Sequence, residues 1–176
     1  DLIKKDTLLF IKKNYPDIKL AQWFLDRMDD EWINNKKRFL DKIDLMDVSF
    51  CTTDPSTLKL NDEHQIFYIP NPVDESFETL NNYNNKFFNN DVFFAMSQGV
   101  PVKYYSSDRF SQLIGNGLLV MVDEKTELGN FFSKNEIVLY NNKSDLSEKI
   151  IKYSNDSKLR STIAKNGKAK YFRYFN

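Results

Sequence analysis

Residues 101–140, PVKYYSSDRFSQLIGNGLLVMVDEKTELGNFFSKNEIVLY, decide how this chain is read. A polar turn opens a short helix that ends at Gly115-Asn116-Gly117; LLVMV then reads as a strand, TELGNFF as a second short helix and NEIVLY as another strand. The pattern predicts a βαβαβ unit whose hydroxyls and cations gather just before its first helix. Backbone N–H groups at a helix start attract anions, and Lys103, Ser106, Ser107 and Arg109 can add side-chain donors there, so a phosphate fits.

The same residues also have a purely structural reading. Ser106-Ser107-Asp108 is good N-cap chemistry, and an arginine in the first turn can pair with Asp108 or Asp123. Tyr104 and Tyr105 can stack on a base, although aromatic residues in a strand more often pack against neighbours. Gly115 and Gly117 flank the helix end, where a left-handed C-cap favours glycine.

Downstream, Ser144-Asp145 reads as the cap of DLSEKIIKYSN, and Ser157 precedes KLRSTIAKNGKAKYFRYF, predicting two C-terminal helices. Upstream, DVFFAMS reads as a strand separated from PVKYYSS by little more than Gln98-Gly99-Val100, whereas a parallel crossover needs a dozen or more residues. That gap predicts an antiparallel hairpin or lost sequence near 97–98. ESFETLNNYNNKFFNN is asparagine-rich and has the composition of a linker or exposed loop.

The first part alternates in the same way. Leu8 to Asn14 reads as a short helix, IKLAQWFLD as a buried strand, NNKKRFLDKID as a helix, LMDVSFCTT as a strand, Asp54-Pro55-Ser56 as a turn and helix start, and HQIFYIP as a strand. Such alternation predicts a parallel α/β sheet. Asn71-Pro72-Val73-Asp74 interrupts both ladder and helix, which places a domain boundary between 1–72 and 73–176. The acidic run of Asp26, Asp29, Asp30 and Glu31 follows a strand, the position of a cleft residue in an open α/β sheet, but a solvated loop is the better reading.

Bulk properties exclude several classes. With 41% hydrophobic and 15% aromatic residues the 176-residue chain can build a real core, and 25 basic against 25 acidic side chains leave no global field to attract nucleic acid. The single cysteine, Cys51, rules out an internal disulfide and reads as a buried small hydrophobe; the lone His64 reads as a surface residue, with no metal cluster to join. No signal peptide or bilayer-spanning run is visible, which predicts a cytoplasmic protein, peripheral to a membrane at most. The opening DLIKKDTLLF reads as an internal start.

The runs SSDRFSQLIGNGLLVMVDE, NEIVLY and DLSEKIIKYSNDSKLRSTIAKNGKAKYFRYF, in that order and spacing, resemble the C-terminal domain of GT-B fold glycosyltransferases, specifically the group 1 type related to spore-coat glycosyltransferase-like proteins. AQWFLD, DLMDVSFCTTDPSTL and IFYIPNPVD resemble the end of the N-terminal domain and its connection. The resemblance implies an incomplete α/β protein of Rossmann-like parallel sheet units, truncated and internally shortened near 97–98. Residues 1–72 would be the C-terminal part of an acceptor-side domain, and 73–176 the nucleotide-sugar-binding domain.

It further implies sugar transfer from a nucleoside diphosphate sugar to a glycan, lipid or protein acceptor in cell-surface polysaccharide assembly, without an obligatory metal or cofactor. The donor-binding residues it implies are Lys103, Tyr105, Ser106, Ser107, Asp108, Arg109 and Gln112. Two positions depart from the family pattern: Gln112 stands where a ribose-binding glutamate is common, and Tyr104 stands where many retaining relatives carry another glutamate. Gln112 and the shortened sheet also support a non-catalytic remnant that binds nucleotide or a protein partner.

Overall fold

The computed structural model describes residues 3–29, 31–60, 63–85 and 101–175, and the chain forms two compact units, Asp1–Ile69 and Pro70–Asn176. The expected strand DVFFAMS and the shortened stretch near 97–98 lie outside the described residues.

In the first unit, helix α1 (Lys5–Asn14) precedes β1 (Ala21–Phe24), α2 (Ile33–Leu40), β2 (Val48–Cys51) and β3 (Ile66–Tyr68). The strands form one parallel sheet in the order β1-β2-β3. Asp54 caps a 3-10 turn, Pro55–Leu58, by accepting from the Ser56 N–H, so the β2–β3 connection turns there without an α-helix among its described residues.

Strand alternation assigns the two sheet faces. Phe24, Cys51 and Ile66 face a core of Met28, Phe39, Ile43 and Leu58. Trp23, Phe50 and Phe67 are register partners on the opposite face, where Trp23 is 45% and Phe67 52% exposed. The expectation of a buried β1 is therefore corrected: its burial alternates along the strand, the pattern of a sheet covered on one side.

Cys51 is fully buried, and desolvation pushes its thiol from 9.0 up to about 11, against the lowering effect of a backbone hydrogen bond at Thr53. Because the folded value is raised, this group's contribution is fully present below pH 9.0 and is lost as pH rises towards about 11. Alkylation of native protein by iodoacetamide at pH 8 is expected to run at least tenfold slower than that of urea-unfolded protein. Equal rates would show that the thiol is exposed.

In the acidic loop Arg27 pairs with Asp29 and Glu31, and Asp29 accepts from the Trp32 N–H at 3.0 Å. His64 is partly buried with Asp44 at 3.6 Å.

The second unit contains α3 (Asp108–Gly115), β4 (Met121–Asp123), β5 (Val138–Tyr140), α4 (Lys143–Asn155) and α5 (Ser157–Phe175), with β4 and β5 paired in parallel. Val73, Phe110, Ile114, Val120, Leu128, Phe132, Ile137 and Tyr171 form its core. The anticipated βαβαβ pattern is only partly realised. Residues 101–107 form no strand, and two 3-10 turns, Glu124–Thr126 and Leu128–Asn130, replace the second helix.

The cause of that replacement is local. Asp123 accepts from the Lys125 N–H, the Thr126 hydroxyl donates back to the Asp123 carbonyl, and Glu127 takes a left-handed φ of 55°. These side-chain bonds outcompete helix propagation.

The C-terminal helices form as expected, with a different first cap. Asn142, not Ser144, accepts from the Asp145 N–H at 3.0 Å, while the Asp145 carboxylate accepts from the Asn141 N–H at 2.9 Å. The Lys149 ammonium, bonded to that carboxylate, holds Asp145 below its usual value. Among the described residues no helix is long and apolar enough to cross a membrane.

Candidate functional site

Helix α3 carries two faces because its side chains repeat every 3.6 residues. Phe110, Ser111 and Ile114 are buried on one face. Arg109, Gln112, Leu113 and Asn116, at helical spacing on the other, line an open groove of about 230 Å³ with Leu80, Asn82 and Leu118.

The groove floor comes from the way α3 ends. The Gly117 N–H donates to the Ile114 carbonyl and the Leu118 N–H to the Leu113 carbonyl, both at 3.0 Å, with Gly117 at φ 73°. This is a Schellman motif, in which Leu113 and Leu118 characteristically meet. Helix termination thus places two leucines on the groove.

The rest of the lining comes from an irregular strap. The Leu80 N–H donates to Asn116 Oδ1 at 3.1 Å, and the Asn82 N–H and side-chain amide both donate to the Asn116 carbonyl. From α5, Lys168 Nζ donates to the Leu80 carbonyl at 2.8 Å and the Glu78 carbonyl at 3.2 Å. Burial lowers the Lys168 pKa, opposed by Glu75 and Glu78. The asparagine-rich segment read as a linker is therefore fastened to this unit over its described part.

At the mouth of α3, Ser107 occupies the N-cap position with extended backbone, but its side chain makes no capping bond. The first-turn N–H groups have no intrahelical acceptors. Asp108 takes one of them, accepting from the Arg109 N–H at 3.0 Å, and its carboxylate lies 4.0 Å from the Arg109 guanidinium. Arg109 pairs with Asp108 in this arrangement, and its side chain remains 51% exposed.

Ser106, immediately before the N-cap, is 2% exposed, and its Oγ has no hydrogen-bond partner among the described residues. A buried hydroxyl left unpaired is costly and calls for an explanation. Its carbonyl is held by the side-chain amide of Asn71 at 3.0 Å, and the Asn71 carbonyl accepts from the Tyr171 hydroxyl at 2.6 Å.

Lys103 and Tyr105 lie in the segment leading to the mouth. Lys103 Nζ sits 3.5 Å from a Glu127 carboxylate oxygen and 5.0 Å from the Tyr104 ring centroid. Tyr104 has a left-handed φ of 60°, donates its N–H to the Thr126 carbonyl, accepts at its hydroxyl from Asn130, and packs edge-on against Phe131. A left-handed tyrosine is a genuine backbone outlier of the kind that clusters at functional sites. The Tyr105 N–H donates to the Val102 carbonyl at 3.1 Å.

The structure thus brings Arg109 and Gln112 together on the flank groove, places Ser106, Ser107 and Asp108 at the helix mouth, and ties Lys103 to the turn after β4. Sequence reasoning missed Asn71, Leu80, Asn82, Asn116, Lys168 and Tyr171. Their partners lie 34 to 100 residues away for the bonds of Asn82, Asn71, Leu80, Lys168 and Tyr171, so no local pattern marks them.

A helix mouth with an exposed arginine, opening onto a half-apolar groove in an α/β unit, is an arrangement suited to a phosphorylated small molecule. A family model described as "Glycosyl transferase-like" matches residues 75–176, and the chain belongs to this glycosyl transferase-like family. No curated protein and no solved structure matches the chain.

Proposed function

We propose that this protein is a GT-B type glycosyltransferase, of the group 1 and spore-coat glycosyltransferase-like kind, that binds a nucleoside diphosphate sugar at the mouth of α3. In this reading residues 73–176 form the donor-binding domain and residues 1–72 belong to the acceptor-side domain. The acceptor is a glycan, lipid or protein hydroxyl in cell-surface polysaccharide assembly.

The observation that carries this reading is the buried Ser106 Oγ, without a hydrogen-bond partner among the described residues, three positions ahead of an exposed first-turn arginine. A diphosphate would offer acceptor oxygens to the Ser106 hydroxyl and, in place of Asp108, to Arg109. In sugar transfer the bond from the anomeric carbon to the diphosphate oxygen breaks as the acceptor oxygen attacks, and negative charge grows on the leaving diphosphate. Arg109 and the first-turn amides would meet that charge, and Asp108 would release Arg109 as the diphosphate takes its place.

Screening UDP, GDP and their sugars by thermal shift is expected to reveal stabilisation of the folded protein. Arg109→Ala is expected to weaken nucleoside diphosphate binding roughly ten- to a hundredfold, the scale of a lost charge-assisted hydrogen bond. Unchanged affinity in that variant would remove Arg109 from the diphosphate site.

Gln112 and Tyr104 favour a second reading, a nucleotide-binding remnant without catalysis. Gln112 can hydrogen-bond a hydroxyl but carries no charge, and Tyr104 is held by Thr126 and Asn130. Donor binding without hydrolysis or transfer of the sugar would identify the remnant.

A further inference from the structure

Leu80 is 57% exposed and belongs to no helix or strand, yet both of its backbone polar groups are held by side chains from two different helices. Its N–H is taken by Asn116 at the end of α3, and its carbonyl by the Lys168 ammonium on α5. An apolar side chain in an irregular segment gains nothing from exposure. Fixing its backbone from both sides holds an apolar residue at the groove that Leu113 and Leu118 also line.

The size of the groove limits what it takes. About 230 Å³ is smaller than a typical pocket for a whole small-molecule ligand, roughly 300–1,000 Å³, so a nucleotide sugar cannot be enclosed there. One flat ring system fits. The lining suits such a ring: leucine side chains for its faces, and the Asn82, Gln112 and Asn116 amides, which both donate and accept, for its polar edge. Arg109 lines the groove and also stands in the first turn of α3, so the groove begins where the helix mouth ends.

We propose that Leu80 is the specificity-determining contact of this groove, that it packs against the planar base of a nucleotide, and that Lys168 is the positioning residue that holds it there. The inference rests on the donor-site reading above and adds the base's location and the residues that select it. Lys168 contributes through the Glu78 and Leu80 carbonyls without touching ligand, and Asn116 shares that task from the other side.

The test compares UDP, GDP and inorganic pyrophosphate by isothermal titration against the whole chain and its variants. Leu80→Ala, at an exposed position, is expected to retain the wild-type circular dichroism spectrum and melting temperature. It should weaken UDP or GDP roughly five- to tenfold while leaving pyrophosphate affinity within twofold. Lys168→Met is expected to show the same selective loss, and Lys168→Arg, whose donors can still reach both carbonyls, to recover most of it.

Equal weakening of nucleotide and pyrophosphate by Leu80→Ala overturns the base assignment but leaves the donor site standing. No change with either ligand also overturns it. Wild-type protein that binds neither nucleotide nor pyrophosphate overturns the donor-site reading and this inference with it. A uniform loss in Lys168→Met that Lys168→Arg does not rescue overturns the positioning role.

Discussion

Replacing Tyr171 by alanine is expected to unfold the second unit or leave it barely stable. Tyr171 is fully buried, stacks on Phe132 with ring centroids 6.0 Å apart, and contacts Phe110 and Phe175 at 5.8 and 5.0 Å. Truncating a core aromatic costs about 3–5 kcal/mol, from lost transfer energy and the cavity left behind. A domain has only about 5–15 kcal/mol in total, so much of that reserve goes. Urea unfolding followed by circular dichroism measures it, and a loss below about 1 kcal/mol would contradict the packing described here.

Tyr171→Phe separates packing from positioning. It keeps the ring but removes the hydroxyl that donates to the Asn71 carbonyl, leaving a buried acceptor unpaired at a cost of about 1–3 kcal/mol. Because Asn71 also holds the Ser106 carbonyl, the backbone just ahead of the α3 mouth loses one of its anchors. Weaker nucleoside diphosphate binding in a variant that still folds is the expected outcome. Unaltered binding would mean that Ser106 is placed by other contacts.

Gly167→Ala is the second large effect. A Cβ at position 167 would lie 2.3 Å from the Glu136 carbonyl oxygen and 3.2 Å from a terminal carbon of Ile114. Backbone cannot swing aside as a side chain can, so α5 must move away from the loop before β5 and from α3. Overpacking of this kind costs typically 1–3 kcal/mol and sometimes more; with backbone as the obstacle we expect about 3 kcal/mol.

For a unit of this size that lowers Tm by roughly 10–20 °C, readable by calorimetry. An unchanged Tm would show that α5 does not approach so closely. Gly167 thus sets the spacing of the helix that also carries Lys168 and Tyr171.

How much of this was legible beforehand depended on the range of the interaction. Alternation of apolar runs and turns located every described strand, because strand and helix periods are local properties. Helix α3 was readable from its glycine stop; Arg109 was singled out from its place at the helix start, and Gln112 only through the family resemblance. The second short helix of the 101–140 stretch was misread because Asp123, Thr126 and Glu127 close their own turns. The half-bare sheet of the first unit was also hidden, since AQWF is apolar enough to look buried while Trp23 in fact faces outward.

Residue order alone therefore determined the α/β class, the parallel strands, the positions of α3 to α5 and the kinship to sugar-transferring proteins. Only tertiary structure decided that Asn71 and Tyr171 brace the helix mouth, that the buried Ser106 hydroxyl has no partner among the described residues, and that Lys168 and Asn116 pin Leu80. The reason is physical: propensity and period act over a few neighbours, whereas a buried hydrogen bond is specified by whichever chain segment packing brings within 3 Å or so.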